Sequence, residues 1–272
     1  MVEDSAAAYD WFGRVLGAGG LGADRAVDES RSGGGEDLEG TDIRLFRVGG
    51  YPVILLAKGA PGGPVARFYE RYGPGVHSLA WEVGDMWVVQ NLLMQRGIGI
   101  GAVNIPGRHF FMHPRDTDGV LMEWTDDTFG PNGRQGDEGG GLVDVVSLAW
   151  VTAVVDDAEA TASRLADLAA AHEVTGNPKG PADHETTVDV RVGDVVLRLV
   201  TPRSPDSRFA SVPSAPRLCS CTWQVGDLDS ALGSLESAGV HAQYRQEALA
   251  AADPATCFGI PMEWTDHAPA AG

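Results

Sequence analysis

The clearest pattern in the chain is a strand followed by a helix between residues 78 and 97. From Ser78 to Val83 small or polar residues alternate with apolar ones, which predicts a half-buried β-strand. Apolar residues then recur at helical spacing over Val88–Gln95, and Gly97 follows at the position of a C-terminal glycine. The predicted apolar face of this helix consists of Val88, Val89, Leu92 and Leu93.

The order continues with predicted strands at Phe110–Met112 and Val120–Trp124, and the whole stretch recurs later in the chain. His77–Asp126 and Cys219–Asp266 share a Trp-x-Val-Gly-Asp motif, and both end in Met-Glu-Trp-Thr-Asp. A repeat of this length predicts a tandem duplication. Each half holds two smaller modules, so these two stretches are modules two and four.

Modules one and three have the same predicted order, with one exception. In module one, Val2-Glu3-Asp4 matches Val83-Gly84-Asp85, where a first strand has already ended, so the first strand of module one is absent here. Either the start of the sequence is truncated or the module lacks this strand. Its helix is predicted over Ala6–Leu16 and its closing strand over Tyr51–Ala57. The remaining predicted elements are a strand within Val145–Val155, a helix around Ala158–Ala171 and strands at Thr187–Val192 and Val195–Val200 in module three, then Cys219–Val225, the helix Leu228–Ala238 and Ile260–Trp264 in module four.

The modules combine into an α+β protein with two predicted domains, residues 1–127 and 142–268, joined by a Gly-rich linker at 128–141. A second Gly-rich and acidic loop is predicted at Asp28–Gly40, and a Ser/Pro connection at Pro202–Pro216. Four modules can complete two domains within one chain, whereas a second chain could supply the strand that module one lacks. We therefore expect a monomer or a homodimer.

Charge and composition exclude several classes of partner. With 20 Lys and Arg against 38 Asp and Glu, the formal net charge is −18 at pH 7. Such a surface repels phosphate groups and no basic run offsets it, so neither nucleic acid nor membrane is an expected partner. No apolar stretch approaches the roughly 18 residues of a membrane span, and the first residues lack the pattern of a signal peptide, which predicts a cytoplasmic protein. Three cysteines without a CxxC spacing argue against a disulfide framework.

Module two carries two motifs with a family resemblance. Residues 75–85 read Gly-Val-His-Ser-Leu-Ala-Trp-Glu-Val-Gly-Asp, and residues 113–123 read His-Pro-Arg-Asp-Thr-Asp-Gly-Val-Leu-Met-Glu. They resemble the vicinal oxygen chelate superfamily, which includes glyoxalases, bleomycin-resistance proteins, extradiol dioxygenases and methylmalonyl-CoA epimerases. The resemblance is strong in module two, fair in module four and weak elsewhere. It implies paired βαβββ modules, each pair curving into a cup around a divalent metal and a small substrate.

The resemblance also implies that metal ligands would come from the first and last strands of each module. Its first-strand histidine, five residues before the strand-ending valine, falls on Ser78 in module two and on Ser220 in module four. In module three the same count reaches Trp150 or Ala149. None of these side chains is an ordinary metal ligand.

The last-strand carboxylate of the family corresponds to Glu123 and Glu263, whereas Ile54 and Arg198 stand at the equivalent places of modules one and three. Each predicted cup thus keeps one carboxylate, and a catalytic divalent site needs about three protein ligands. No metal or other cofactor is therefore favoured. A structural ion pair between Arg198 and Glu263 is the expected arrangement in the second cup.

Strand alternation predicts which side chains face each cup. In module two Ser78 and Glu82 point inward, beside Glu123, while His77 shares the packed face with the large apolar residues. A one-residue bulge would instead turn His77 inward as a metal ligand. His109 is interpreted as structural or solvated. In module four the predicted inward residues are Ser220, Thr222 and Gln224, together with Glu263.

Two functions compete on this pattern, and a duplicated scaffold without a ligand is a third reading. The favoured hypothesis is a metal-free protein that sequesters a polar or cationic small molecule, with Arg198 and the inward residues of both cups as ligand-binding residues. The alternative is a metal-dependent epimerase, lyase or dioxygenase that binds Fe, Mn, Zn, Ni or Co through Glu123 and His77. In either case Glu123 and Glu82 are the candidate catalytic carboxylates.

Overall fold

The computed structural model describes residues 1–20, 41–59, 61–101, 109–126, 140–177, 179, 183–212 and 217–268. The predicted loop at Asp28–Gly40, residues 128–139 of the predicted linker and residues 213–216 of the Ser/Pro connection lie outside this part of the chain. The helices are α1 (Ser5–Leu16), α2 (Pro64–Tyr72), α3 (Met86–Gln95), α4 (Ala158–Ala169) and α5 (Leu228–Ser237). The strands are β1 (Gly19–Gly20), β2 (Ile43–Val48), β3 (Tyr51–Leu56), β4 (Leu79–Glu82), β5 (His109–Phe111), β6 (Met122–Thr125), β7 (Val145–Val154), β8 (His172–Val174), β9 (Glu185–Val192), β10 (Val195–Pro202), β11 (Arg217–Val225), β12 (Ala242–Gln246), β13 (Leu249–Ala252) and β14 (Met262–Thr265).

The order of elements confirms the predicted α+β class and the four tandem modules. Each module begins its long helix in the same way, because an aspartate side chain accepts a backbone N–H of the first turn. These N-cap residues are Asp4, Asp85, Asp157 and Asp227. α1 is the first element of the described chain, and Gly17 ends it in the left-handed conformation.

Equivalent backbone hydrogen bonds fix the alignment of the modules. The N–H of Val83 donates to the carbonyl of Thr125, and the N–H of Val155 donates to the carbonyl of Val200, both at 2.9 Å. The N–H of Val2 likewise donates to the carbonyl of Leu56, at 3.0 Å. Module one therefore enters the repeat where the other modules end their first strand. The same bonds select Trp150 over Ala149 as the first-strand position of module three.

The described residues form two compact units. Unit 1 consists of the described parts of Met1–Val76, Phe129–Ala149 and Ser220–Ala268, and unit 2 of those in His77–Thr128 and Trp150–Cys219. Unit 1 thus holds modules one and four, and unit 2 holds modules two and three. The division into residues 1–127 and 142–268 follows the repeat along the chain and stays a prediction.

Each unit contains strands of mixed direction. In unit 1, β1-β2-β3 is an antiparallel sheet, and the order β12-β13-β14-β11 joins β14 to β11 in parallel. In unit 2, β4-β6-β5 joins β4 to β6 in parallel, and the order β7-β10-β9-β8 joins β10 to β7 in parallel. In modules two, three and four the first and last strands are therefore direct neighbours, so their inward side chains lie side by side.

Buried aromatic side chains anchor both units. The core of unit 1 includes Trp11, Phe46 and Trp264, each at most 6% exposed. In unit 2 the indole of Trp81 is buried and donates a hydrogen bond to the carbonyl of Val192, at 3.1 Å. Burial of such rings contributes on the order of 2–3 kcal/mol each.

The apolar face predicted for α3 is partly wrong. Leu93 is buried and Val89 is half-buried, but Val88 and Leu92 are exposed. Met86, which precedes the predicted helix, is buried instead. The periodicity identified the helix correctly but did not identify the side that packs.

Two further features of the described residues are the state of the cysteines and the length of the helices. Cys219, Cys221 and Cys257 are free thiols, and burial raises the pKa of Cys221 and Cys257 to about 12. Both groups are therefore inert at neutral pH. Within the described ranges no helix combines the length and apolar character needed to cross a membrane.

Candidate functional site

The candidate site lies on one face of the β4-β6-β5 sheet in unit 2. Strand pairing sets Ala80 opposite Glu123 in parallel, and Phe111 opposite Glu123 in antiparallel register. Side chains two residues apart on one strand share a face, so His109 lies on the same face as Phe111 and Glu123. Ser78 directly precedes β4, and its hydrogen bond to Glu123 places it on this face as well. Because β6 is the central strand, Glu123 has neighbours on both sides.

Both carboxylate oxygens of Glu123 accept hydrogen bonds. The hydroxyl of Ser78 donates to Oε1, and the Nε2–H of His109 donates to Oε2 at 2.8 Å. The side chains of Glu123 and His109 are 15% and 16% exposed, so the pair is largely shielded yet still reaches solvent. We call Ser78, His77, His109 and Glu123 the Glu123 site.

His77 also reaches this face, against the prediction from alternation. Its Nδ1 lies 2.8 Å from the hydroxyl oxygen of Ser78, and its ring lies edge-on to Phe111 at 6.2 Å. β4 begins only at Leu79, so strand alternation does not constrain His77. Since the Ser78 proton points to Glu123, the Nδ1–H of His77 donates to Ser78. The result is a chain of hydrogen bonds from His77 through Ser78 to Glu123.

Burial lowers the pKa of His77 from 6.5 to about 4, and the negative charge of Glu123 offsets only part of this effect. The ring is therefore neutral at pH 7, and the hydrogen bond to Ser78 places its one proton on Nδ1. Glu82 lies on the same sheet face, opposite Thr125 and exposed. It adds a second carboxylate to this face, two residues further along β4 than Ala80, which pairs with Glu123.

The low pKa of His77 predicts a pH-dependent stability. Unfolded chains bind a proton at His77 near pH 6.5, whereas the folded protein does so only near pH 4. The contribution of neutral His77 is thus fully present above about pH 6.5 and is lost as the pH falls towards 4. Because the ring is only half-buried, we expect a loss on the order of 2 kcal/mol.

Urea unfolding at pH 7.5 and pH 4.5 measures this effect. The variant His77→Gln is expected to lose about 2 kcal/mol less than the wild type between these two pH values. His241→Gln, at an exposed histidine, is the matched control and should behave as the wild type. An equal pH dependence in all three proteins would contradict the prediction.

The equivalent residues of module four form a second polar cluster, in unit 1. Thr222 pairs with Glu263 across β11 and β14, and its hydroxyl donates to Oε2 at 2.9 Å. Gln224 accepts a hydrogen bond from the hydroxyl of Ser147 at 2.8 Å. Ser220 is buried, and its hydroxyl has no partner among the described residues. Glu263 is only 3% exposed, so this cluster is more enclosed than the Glu123 site.

The expected ion pair between Arg198 and Glu263 is wrong. Arg198 instead forms a two-point contact with Asp189, with distances of 2.9 and 3.0 Å from its Nε and Nη2 to the two carboxylate oxygens. Its guanidinium lies 3.9 Å from the centre of the Trp150 ring, and Asn177 donates to Asp189 at 2.9 Å. All four side chains are buried. We call them the Arg198 cluster.

The structure brings some of the predicted site residues into contact, whereas the predicted pair of Arg198 and Glu263 does not form. It brings Ser78, His77 and Glu123 together, and Thr222 with Glu263. His109, which the sequence suggested was structural or solvated, contacts Glu123 directly. The sequence placed His109 beside the predicted strand Phe110–Met112, but the pairing of Phe111 with Glu123 that brings His109 to this face is known only from the structure.

The positions that the resemblance assigns to metal ligands do not fit a divalent metal. In module three a ring and a cation, Trp150 and Arg198, occupy both positions, and a guanidinium repels a metal ion. In module two Ser78 stands where the resemblance implies an imidazole, and a serine hydroxyl is not an ordinary ligand of a divalent metal. Within the described ranges no group of three or more His, Cys, Asp or Glu is arranged to hold a metal.

Comparison with known proteins identifies the fold. No protein-family model matches the sequence, and no curated protein gives a significant match. A mutant of 4-hydroxymandelate synthase from Streptomyces coelicolor is similar over 100% of this chain and 92% of its own, with a TM-score of 0.66 and 15% sequence identity. Methylmalonyl-CoA epimerase from Mycobacterium tuberculosis is similar over 47% of this chain and 90% of its own, with a TM-score of 0.41 and 20% identity. The chain has the vicinal oxygen chelate fold.

Proposed function

We propose that the protein binds a small organic cation or a strongly polar molecule at the Glu123 site, without a metal. The supporting observation is the hydrogen bonding of Glu123. Ser78 and His109 hold its carboxylate in a fixed orientation and in a largely shielded position, where an ionic contact is stronger than in water. Such a carboxylate is ready to receive a cationic group with little rearrangement.

The other side chains of this face suit the same kind of guest. Phe111 contributes an aromatic ring next to the carboxylate of Glu123. The face of an aromatic ring binds cations, and the ring also packs against apolar groups. Glu82 adds a second negative charge on the same sheet face, and the net charge of −18 attracts cations from a distance. Within module three, Arg198 belongs to the framework, because Asp189 and Trp150 already engage its guanidinium.

Calorimetric titration with phenethylammonium tests this function. We expect saturable binding to the wild type and at least tenfold weaker binding to Glu123→Gln, which removes the charge and keeps the shape. Phenylacetate, which has a similar ring and the opposite charge, should not bind. Glu159→Gln, at an exposed carboxylate on α4 of the same unit, is the matched control.

Two outcomes would refute the proposal. One is unchanged affinity in Glu123→Gln, which would place the binding elsewhere. The other is the absence of saturable binding across phenethylammonium and a panel of other aromatic and aliphatic amines at millimolar concentration.

One observation favours a second candidate, a metal-dependent epimerase, lyase or dioxygenase. His109 contacts Glu123 directly, and His77 reaches the same carboxylate through Ser78, so two imidazoles are linked to one carboxylate by hydrogen bonds. Elemental mass spectrometry after soaking with Fe, Mn, Zn, Ni or Co separates the candidates. A stoichiometric metal that is lost in Glu123→Ala would favour this candidate over metal-free binding.

A further inference from the structure

Helix α3 exposes an apolar surface that the other long helices of the repeat lack. Four large side chains on its outer side are exposed to solvent, at 58% for Trp87, 52% for Val88, 49% for Leu92 and 57% for Met94. We call these four residues the α3 face. Trp87 and Met94 lie on one flank of this exposed side and Val88 and Leu92 on the other, with the exposed Asn91 and Gln95 between them. Large apolar side chains concentrated on one exposed helix are typical of an interaction site.

The internal repeat shows that this surface is particular to module two. Counting from the capping aspartates Asp85 and Asp227, the α3 face corresponds in α5 to Asp229, Ser230, Ser234 and Glu236. Counting from Asp157, it corresponds in α4 to Glu159, Ala160, Arg164 and Ala166. The same helix in the same type of module is thus polar or small at these positions in the other half of the chain. The fold itself does not require the large apolar residues.

Charge along α3 indicates what covers this face. The ten residues of the helix carry no charge, although the whole chain has a net charge of −18. An acidic residue, Asp85, stands at the N-terminus, and a basic residue, Arg96, follows the C-terminus. Two such helices packed antiparallel would bring Asp85 of each copy towards Arg96 of the other. A two-fold axis produces this arrangement automatically, because it pairs one surface with itself.

We propose that a second copy of this chain docks on the α3 face, forming a two-fold symmetric dimer through antiparallel α3 helices. Asn91 lies near the middle of the helix and on its exposed side, so the axis would pass close to it. Two asparagine amides that meet at such an axis can each donate to and accept from the other.

The area of the α3 face predicts a weak dimer. The four side chains expose on the order of 400 Å² of apolar surface per copy, against about 800 Å² per partner in a standard interface. We therefore expect a dissociation constant on the order of 10 µM, with association that strengthens as salt screens the net negative charge.

Sedimentation velocity over a concentration series tests the proposal. The wild type should pass from monomer to dimer between about 1 and 200 µM. The double variant Trp87→Asp/Leu92→Ser, which copies the residues of α5, should be at least tenfold weaker. Leu92→Met keeps the apolar surface and should dimerise as the wild type. A wild type that stays monomeric, or a double variant that still dimerises, would overturn the proposal.

A cross-link tests the geometry independently. Asn91→Cys is expected to form an intermolecular disulfide under mild oxidation, because the two copies of residue 91 meet at the axis. Ser230→Cys, on the outer side of α5, is the matched control and should stay monomeric. Equal cross-linking of both variants would show random collision and would contradict the antiparallel arrangement.

Discussion

Replacing Arg198 with methionine is expected to lower the free energy of unfolding by about 3–5 kcal/mol. The reason is Asp189, which is fully buried and accepts two hydrogen bonds from the guanidinium. Without Arg198 its charge would keep only the amide of Asn177 as a described side-chain partner. The ring of Trp150 would also lose the cation that lies 3.9 Å from its centre.

Urea denaturation of matched variants measures this loss. Arg164→Met, which removes the half-exposed ion pair with Asp118 in the same unit, should cost less than about 1 kcal/mol. The double variant Arg198→Met/Asp189→Leu should recover most of the stability, because it leaves no buried charge behind. An Arg198→Met loss as small as that of Arg164→Met would mean that water enters the cluster and solvates Asp189.

The partner of Arg198 could have been found from the sequence. One predicted strand ends at Val192 and the next begins at Val195. The two residues between these strands, Gly193 and Asp194, have the length of a tight hairpin turn. A two-residue turn fixes the register, and counting outward from it places Arg198 opposite Asp189, as the structure shows. The family resemblance predicts Glu263 as the partner of Arg198, whereas the register of the hairpin predicts Asp189, which is the partner observed.

Other elements were predictable because their signals are local. In modules two, three and four the first strand closes at a valine, and an aspartate two residues later caps the helix, so a few residues specify the strand end, the turn and the helix start. The packed side of α3 was not predictable in this way. Both sides of this helix are apolar and none of its residues is charged, so periodicity alone could not orient it.

The contact between His109 and Glu123 could be predicted from the sequence only in part. Their strands are antiparallel neighbours, but a connection of ten residues with a 3₁₀ turn at Pro114–Asp116 separates β5 from β6. A connection of that length does not fix the register, so the sequence could place His109 on a strand without giving its partner. The site was therefore predictable on the β4 and β6 side and not on the β5 side.

The Glu123 site of module two and the polar cluster around Glu263 in module four resemble each other in sequence, but their carboxylates differ in how accessible they are to a small molecule. In module two the serine is bonded to the glutamate, and the pair reaches solvent. In module four the hydroxyl of Thr222 takes the place of the serine on Glu263, and burial encloses the carboxylate. We therefore assign the binding function to module two and expect module four to contribute mainly to the core of unit 1.

Introducing histidine at position 78 is expected to create a metal site that the wild type lacks. The side chain of residue 78 already reaches Oε1 of Glu123, and His109 already reaches Oε2. An imidazole in place of the hydroxyl would put two histidines directly beside one carboxylate, whereas His77 of the wild type reaches Glu123 only through Ser78. Two histidines and one carboxylate are typical of Fe, Zn and Co sites with open positions. We expect Ser78→His to bind Co²⁺ on the order of a hundredfold more tightly than the wild type.

Cobalt titration followed by visible absorption measures this gain. The double variant Ser78→His/His109→Gln removes the second imidazole and should return to wild-type affinity, which shows that the new ligand acts with His109. If the wild type binds Co²⁺ as tightly as Ser78→His, then Ser78 is not what prevents metal binding, and the metal-dependent candidate gains support. If Ser78→His gains nothing, the side chains of module two are insufficient for a metal site, whatever residue stands at position 78.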